Sequence, residues 1–76
     1  MTIIDRINGF RLCKDDSKGR DFYQVIFPSG STTVETSGTR DEVLSTLRRW
    51  REEIDFDNPF MLDIENSFIN RLEAGA

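Results

Sequence analysis

Seventy-six residues make one domain, with a core small enough that its stability should lie at about 4–11 kcal/mol. Ten bases against fourteen acids give a net charge of −4, which disfavours duplex DNA as a partner, because affinity there comes chiefly from neutralised phosphates. The absence of histidine and the single cysteine, Cys13, remove the usual general base, the Ser/His and Cys/His nucleophile pairs, a structural zinc site within one chain and any internal disulfide.

Any chemistry would have to run on carboxylates alone, so the expectation is a protein that is not an enzyme and holds no cofactor and no metal. Met1-Thr2-Ile3-Ile4 is broken at once by Asp5 and Arg6. No apolar stretch reaches the ~20 residues of a membrane span. With one cysteine this predicts a cytoplasmic protein without a membrane partner. Six Phe, one Trp and one Tyr supply large burial per residue and predict a folded globule. Charge is uneven along the chain. Residues 1–40 hold six bases and five acids, residues 41–76 four bases and nine acids.

Residues 1–37 read as an antiparallel meander of three or four strands. Ile3 to Ile7 and Phe10 to Lys14 flank Asn8-Gly9, the dipeptide best suited to the positive φ angles of a type I′ hairpin. Asp5 and Arg6 interrupt the alternation of the first strand. Asp15 to Arg20 is a polar turn. Asp21 to Phe27 is aromatic and β-branched and reads as the clearest strand. Its alternation puts Phe22, Gln24 and Ile26 on one face and Tyr23, Val25 and Phe27 on the other. Pro28 to Ser31 turns the chain, and Thr32 to Thr36 predicts a short fourth strand. Cys13, among strand residues, reads as a buried thiol.

The first helix spans 39–54. Thr39 and Glu42 form a capping box, and Val43, Leu47, Trp50 and Ile54, widened by Leu44, form the inward stripe. On that stripe Trp50 is expected to be the largest contributor to the core, with ~3–5 kcal/mol lost on its truncation. Asp55-Phe56-Asp57-Asn58 links the helices. Asn58 is a good N-cap and Pro59 a good first residue, so the second helix covers 58–73 with Met61, Ile64, Phe68 and Leu72 inward. Phe60, Leu62 and Ile69 are surplus apolar residues that would suit a homodimer. The fold class is therefore α+β, a meander followed by a two-helix hairpin packed on one face.

Three clusters carry candidate chemistry. Asp55-Phe56-Asp57-Asn58 starts like a calcium loop, but Phe60 replaces the needed glycine and Asn66 the terminal Glu. Arg48-Arg49-Trp50-Arg51 is the densest basic patch, with Glu52 and Glu53 close enough to offset it. Immediately after it Glu52, Glu53, Asp55, Asp57, Asp63 and Glu65 form a run without a base. These six are the candidate partner-binding residues. As a patch at the hairpin tip they would dock onto a basic protein surface and steer fast association.

The order of Gly9-Phe10-Arg11, Tyr23-Gln24-Val25 and the Thr39 helix resembles the sheet-based DNA readers of plant transcription-factor and integrase arm-binding domains. That resemblance implies a nucleic-acid module using Arg11, Lys14, Lys18 and Arg20, which here are offset by Asp15, Asp16 and Asp21. As architecture over most of the chain, a short meander, two helices and late acids, the protein resembles the small acidic proteins with which phages disable host machinery, including some anti-CRISPR proteins. That likeness implies a non-enzymatic inhibitor whose acidic patch occupies a basic site on a host protein. The alternatives are the nucleic-acid module and a homodimeric structural subunit.

Overall fold

The computed structural model describes residues 1–18 and 21–75. Four strands, β1 (Thr2–Ile7), β2 (Phe10–Lys14), β3 (Tyr23–Ile26) and β4 (Ser37–Gly38), form one antiparallel sheet in the order β1-β2-β3-β4. A short 3-10 turn (Asp16–Lys18) follows β2, and two helices, α1 (Arg40–Glu53) and α2 (Pro59–Glu73), complete the chain. This is the α+β meander and helix hairpin that the sequence predicts.

Asn8 (φ 52°) and Gly9 (φ 85°) both sit in the left-handed region, joining Ile7 to Phe10 across a two-residue turn, as a type I′ hairpin requires. The broken alternation of β1 has a structural cause. The register steps from Ile3 opposite Cys13 to Asp5 opposite Leu12, so Ile4 is the extra residue of a β-bulge. After the bulge Asp5 turns to the helix side, where Ser67 Oγ of α2 donates to its carboxylate at 2.6 Å. The Ile4 carbonyl accepts from the Arg71 guanidinium. The bulge thus re-aims a side chain and blunts an edge strand.

Residues 32–36 are not a strand, and the fourth strand lies just beyond them at Ser37–Gly38. Their hydroxyls bond locally instead. Thr32 Oγ1 donates to the Val25 carbonyl at 3.1 Å, Thr33 and Thr36 share a hydroxyl bond at 2.9 Å, and Ser37 Oγ donates to the Thr33 carbonyl at 2.8 Å. Short hydroxylated side chains compete with the ladder for backbone groups. Val34 is left fully in solvent.

The core lies between one face of the sheet and both helices. Leu12, Tyr23 and Val25 meet Val43, Leu44 and Leu47 of α1 and Ile64, Phe68, Ile69 and Leu72 of α2. Phe10 and Phe27 pack edge to face at 5.6 Å at one margin. Two expectations change here. The buried face of α1 is confined to its first two turns, over β3 and β4, so Trp50 is only half-buried and Ile54, at the C-cap, is exposed. Ile69 is a core residue rather than surplus surface. The opposite face of the sheet carries Ile3, Arg6, Arg11, Cys13 and Gln24 by register and no helix. Cys13 is buried among them, and burial pushes its thiol pKa up against the pull of Arg11.

Candidate functional site at the helix-hairpin tip

Two caps fix the hairpin. Thr39 Oγ1 accepts from the Glu42 amide at 3.3 Å, while the Thr39 amide donates to Glu42 Oε1 at 3.0 Å. Asn58 Oδ1 accepts from the Met61 amide, with Pro59 in the first turn of α2. Between the helices the Ile54 and Asp55 amides both donate to the Trp50 carbonyl, at 3.0 and 2.7 Å, and the Asn58 amide donates to the Asp55 carbonyl at 2.9 Å. The connector is therefore a bonded turn, held by its own backbone.

Of the six predicted docking acids, Glu52, Glu53, Asp57 and Asp63 are exposed around this tip. Asp55 and Glu65 are not part of that surface: Asp55 is 9% and Glu65 1% exposed. The helical row Met61, Glu65, Ile69 turns Glu65 inward with its apolar neighbours, and the connector's backbone bonds fold Asp55 under. The interleaving of Glu65 between Met61 and Ile69 at four-residue spacing was the available signal.

No donor group among the described residues hydrogen-bonds either carboxyl oxygen of Glu65. The group placed to supply one is the Asp55 carboxyl, and two carboxyls share a hydrogen bond only when one holds a proton. Burial first, then Asp55, pushes the Glu65 pKa up to about 8 against the weaker pull of Arg51. Two carboxyls in one dry site behave this way because both cannot ionise without water.

The arginines of the basic patch find partners other than Glu52 and Glu53. Arg48 bonds Glu73 at 2.6 Å, Arg49 bonds Glu35 at 3.1 Å, and Arg51 donates to Asn66 Oδ1 at 3.0 Å. Glu52, Glu53, Asp57 and Asp63 consequently make no ion pair among the described residues. Beside them stand three large apolar side chains in water: Ile54, Phe56 and Phe60, at 62, 65 and 53% exposure. Sequence periodicity had placed Ile54 in the core and gave Phe56 no role. A side chain at a C-cap points wherever the helix ends, and helical spacing does not fix that end.

Of the residues of the nucleic-acid alternative, the two whose side chains are described lie on opposite faces of the sheet. Arg11 lies on the open sheet face, directly across from Arg6. Lys14 lies on the other face with Tyr23, ion-paired to Asp16 at 3.8 Å and Asp21 at 3.6 Å. Arg20 and the side chain of Lys18 lie outside the described residues. A shallow depression of about 320 Å³ is lined, among the described residues, by Asp21, Thr39, Arg40 and Asp41, none of them a predicted site residue. Among the described residues no three His, Cys, Asp or Glu side chains gather as a metal site, and no helix is long and apolar enough to cross a membrane. No family model matches the chain, and no curated protein or solved structure matches it.

Proposed function

We propose that this protein is a small non-enzymatic binding module whose helix-hairpin tip docks on a basic surface of another protein, as an inhibitor carried by a phage or mobile element would. One observation carries the reading: Ile54, Phe56 and Phe60 stand exposed among four acids that make no ion pair among the described residues. Glu52 and Glu53 also sit at the C-terminal end of α1, where the helix dipole opposes them. Apolar anchors ringed by charge of one sign are the composition of a recognition surface, with the aromatics supplying affinity and the charges orientation. The partner's matching feature is an apolar recess rimmed by Lys and Arg.

The test is paired affinity capture from the native host. Wild type and two variants serve as bait, Phe56→Ser and the charge reversal Glu52→Lys, Glu53→Lys, Asp57→Lys, Asp63→Lys. The reading requires one protein retained by wild type, lost with both variants and captured less when salt is raised during binding. A partner retained equally by all three baits, or lost only when the sheet-face residues Arg6 and Arg11 are changed, removes the tip as the docking surface.

A further inference from the structure

The tip contains a feature that docking does not use. Glu65 comes from α2 and Asp55 from the connector, and both are buried where the helices converge. No donor group among the described residues reaches either Glu65 oxygen. A buried carboxyl without a donor is so unfavourable in its charged form that it takes up a proton or finds a partner instead.

We infer that the Asp55 and Glu65 carboxyls form a proton-operated latch that holds the connector against α2 and so sets the arrangement of Ile54, Phe56 and Phe60 at the tip. With one proton between them the pair closes as a carboxyl–carboxylate hydrogen bond and Asp55 stays under the connector. When that proton leaves, two like charges face each other without water, and the pair must part. Asp55 is the group that can move. It lies in a five-residue connector, and its own amide and carbonyl bonds, to Trp50 and Asn58, are the bonds that define the turn.

The charges around the pair favour this reading. From α1, Arg51 acts on Glu65 but has its guanidinium committed to Asn66 at 3.0 Å, and Arg48 is held by Glu73. From β1, Asp5 is held by Ser67. On α2 itself Asp63 faces solvent and Arg71 is engaged with the Ile4 carbonyl. Among the described residues, Asp55 and Arg51 are the charged groups that act on Glu65. The midpoint near pH 8 to which its surroundings push Glu65 would keep the latch mostly closed at neutral pH and open it in mild alkali. As regulation of docking, the inference rests on the tip being the docking surface; as a property of the isolated chain it does not.

Trp50, the sole tryptophan, is the probe, since its carbonyl accepts the connector's amides and the residue is half-buried. Its emission is followed from about pH 6 to pH 9, below the range of an ordinary tyrosine. The carboxyl carbon of Glu65 is followed by NMR on the same samples. The latch requires a step in Trp50 emission near pH 8 that coincides with the Glu65 carbon, disappears in Glu65→Gln and moves to lower pH in Asp55→Asn. A flat emission profile in wild type, or a Glu65 carbon that titrates in the ordinary carboxylate range, overturns it. Should Glu65→Gln not fold, the wild-type profile and the displacement in Asp55→Asn decide the matter between them. If the latch titrates as expected while the docking variants bind like wild type, the docking reading alone fails.

Discussion

At the scale of single residues, Glu65 makes stability depend on pH in a direction opposite to most acids. A surface carboxylate that gains a salt bridge has its pKa lowered and stabilises the fold as pH rises. Glu65 has its pKa raised from an ordinary 4.5 to about 8, so between those values the native chain binds more protons than the unfolded one. Its contribution is complete below the ordinary carboxylate range and is lost as pH climbs to about 8. Glu65→Gln keeps the shape and can donate an amide hydrogen to Asp55. The expectation is stability close to wild type near pH 5 and higher than wild type by ~1–3 kcal/mol near pH 9, read by urea unfolding at each pH. A second residue-scale contrast concerns the aromatics. Phe68 is fully buried, whereas Trp50 is half-buried on the overhanging end of α1. Phe68→Ala should therefore cost ~3–5 kcal/mol and Trp50→Ala roughly half of that or less, reversing the ranking that residue size alone suggests. Denaturation midpoints of the two variants in one buffer settle the order.

At the scale of elements, caps and turns decide where each segment starts. The reciprocal Thr39 and Glu42 bonds satisfy amides at the head of α1, so Thr39→Ala should lower stability by ~1 kcal/mol with the fold unchanged. A shift in chemical denaturation without change in the circular dichroism spectrum is the expected record. Those same signals explain what was legible in the sequence. The Asn8-Gly9 hairpin, the β3 strand, the capping box and the Asn58-Pro59 start of α2 are local chemistry acting over a few residues, and each appears where its residues predict. Residues 32–36 went astray because threonine's β-branching favours strands while its hydroxyl favours turns, and only the neighbouring Ser37 and Val25 groups decide between them. The bulge at Ile4 was hidden for a similar reason, since Asp5 breaks the alternation only to reach Ser67, sixty-two residues away. The candidate site divides along the same line. Its four outward acids could be read from charge alone. The burial of Glu65 is written in its four-residue spacing from Met61 and Ile69, whereas the burial of Asp55 and the exposure of Ile54 and Phe56 depend on where α1 ends, which no local pattern records.

At the scale of the whole molecule, charge and apolar surface are sorted by position. The open sheet face presents Arg6 and Arg11 side by side, while the opposite, helical side ends in four exposed acids around three exposed apolar side chains. These two components of the tip should govern different halves of binding. Charges on a rim act at a distance comparable with the screening length, ~10 Å at 0.1 M salt, and mainly steer encounter. Apolar anchors act only after contact, and mainly set how long the complex lasts. For the protein captured by the wild-type tip, raising salt from about 50 to about 300 mM should slow association by roughly tenfold and leave dissociation nearly unchanged. Reversing Glu52, Glu53, Asp57 and Asp63 to lysine should slow association further at low salt and invert its salt dependence, because the tip then repels the basic surface. Phe56→Ala should instead leave association within about threefold of wild type and speed dissociation by roughly tenfold or more. Surface plasmon resonance at several salt concentrations separates the two rates. A Phe56→Ala variant whose whole loss lay in association would mean that the ring only shapes the approach, and the anchors would then have to be sought in the half-buried Trp50 and Leu62 beside it.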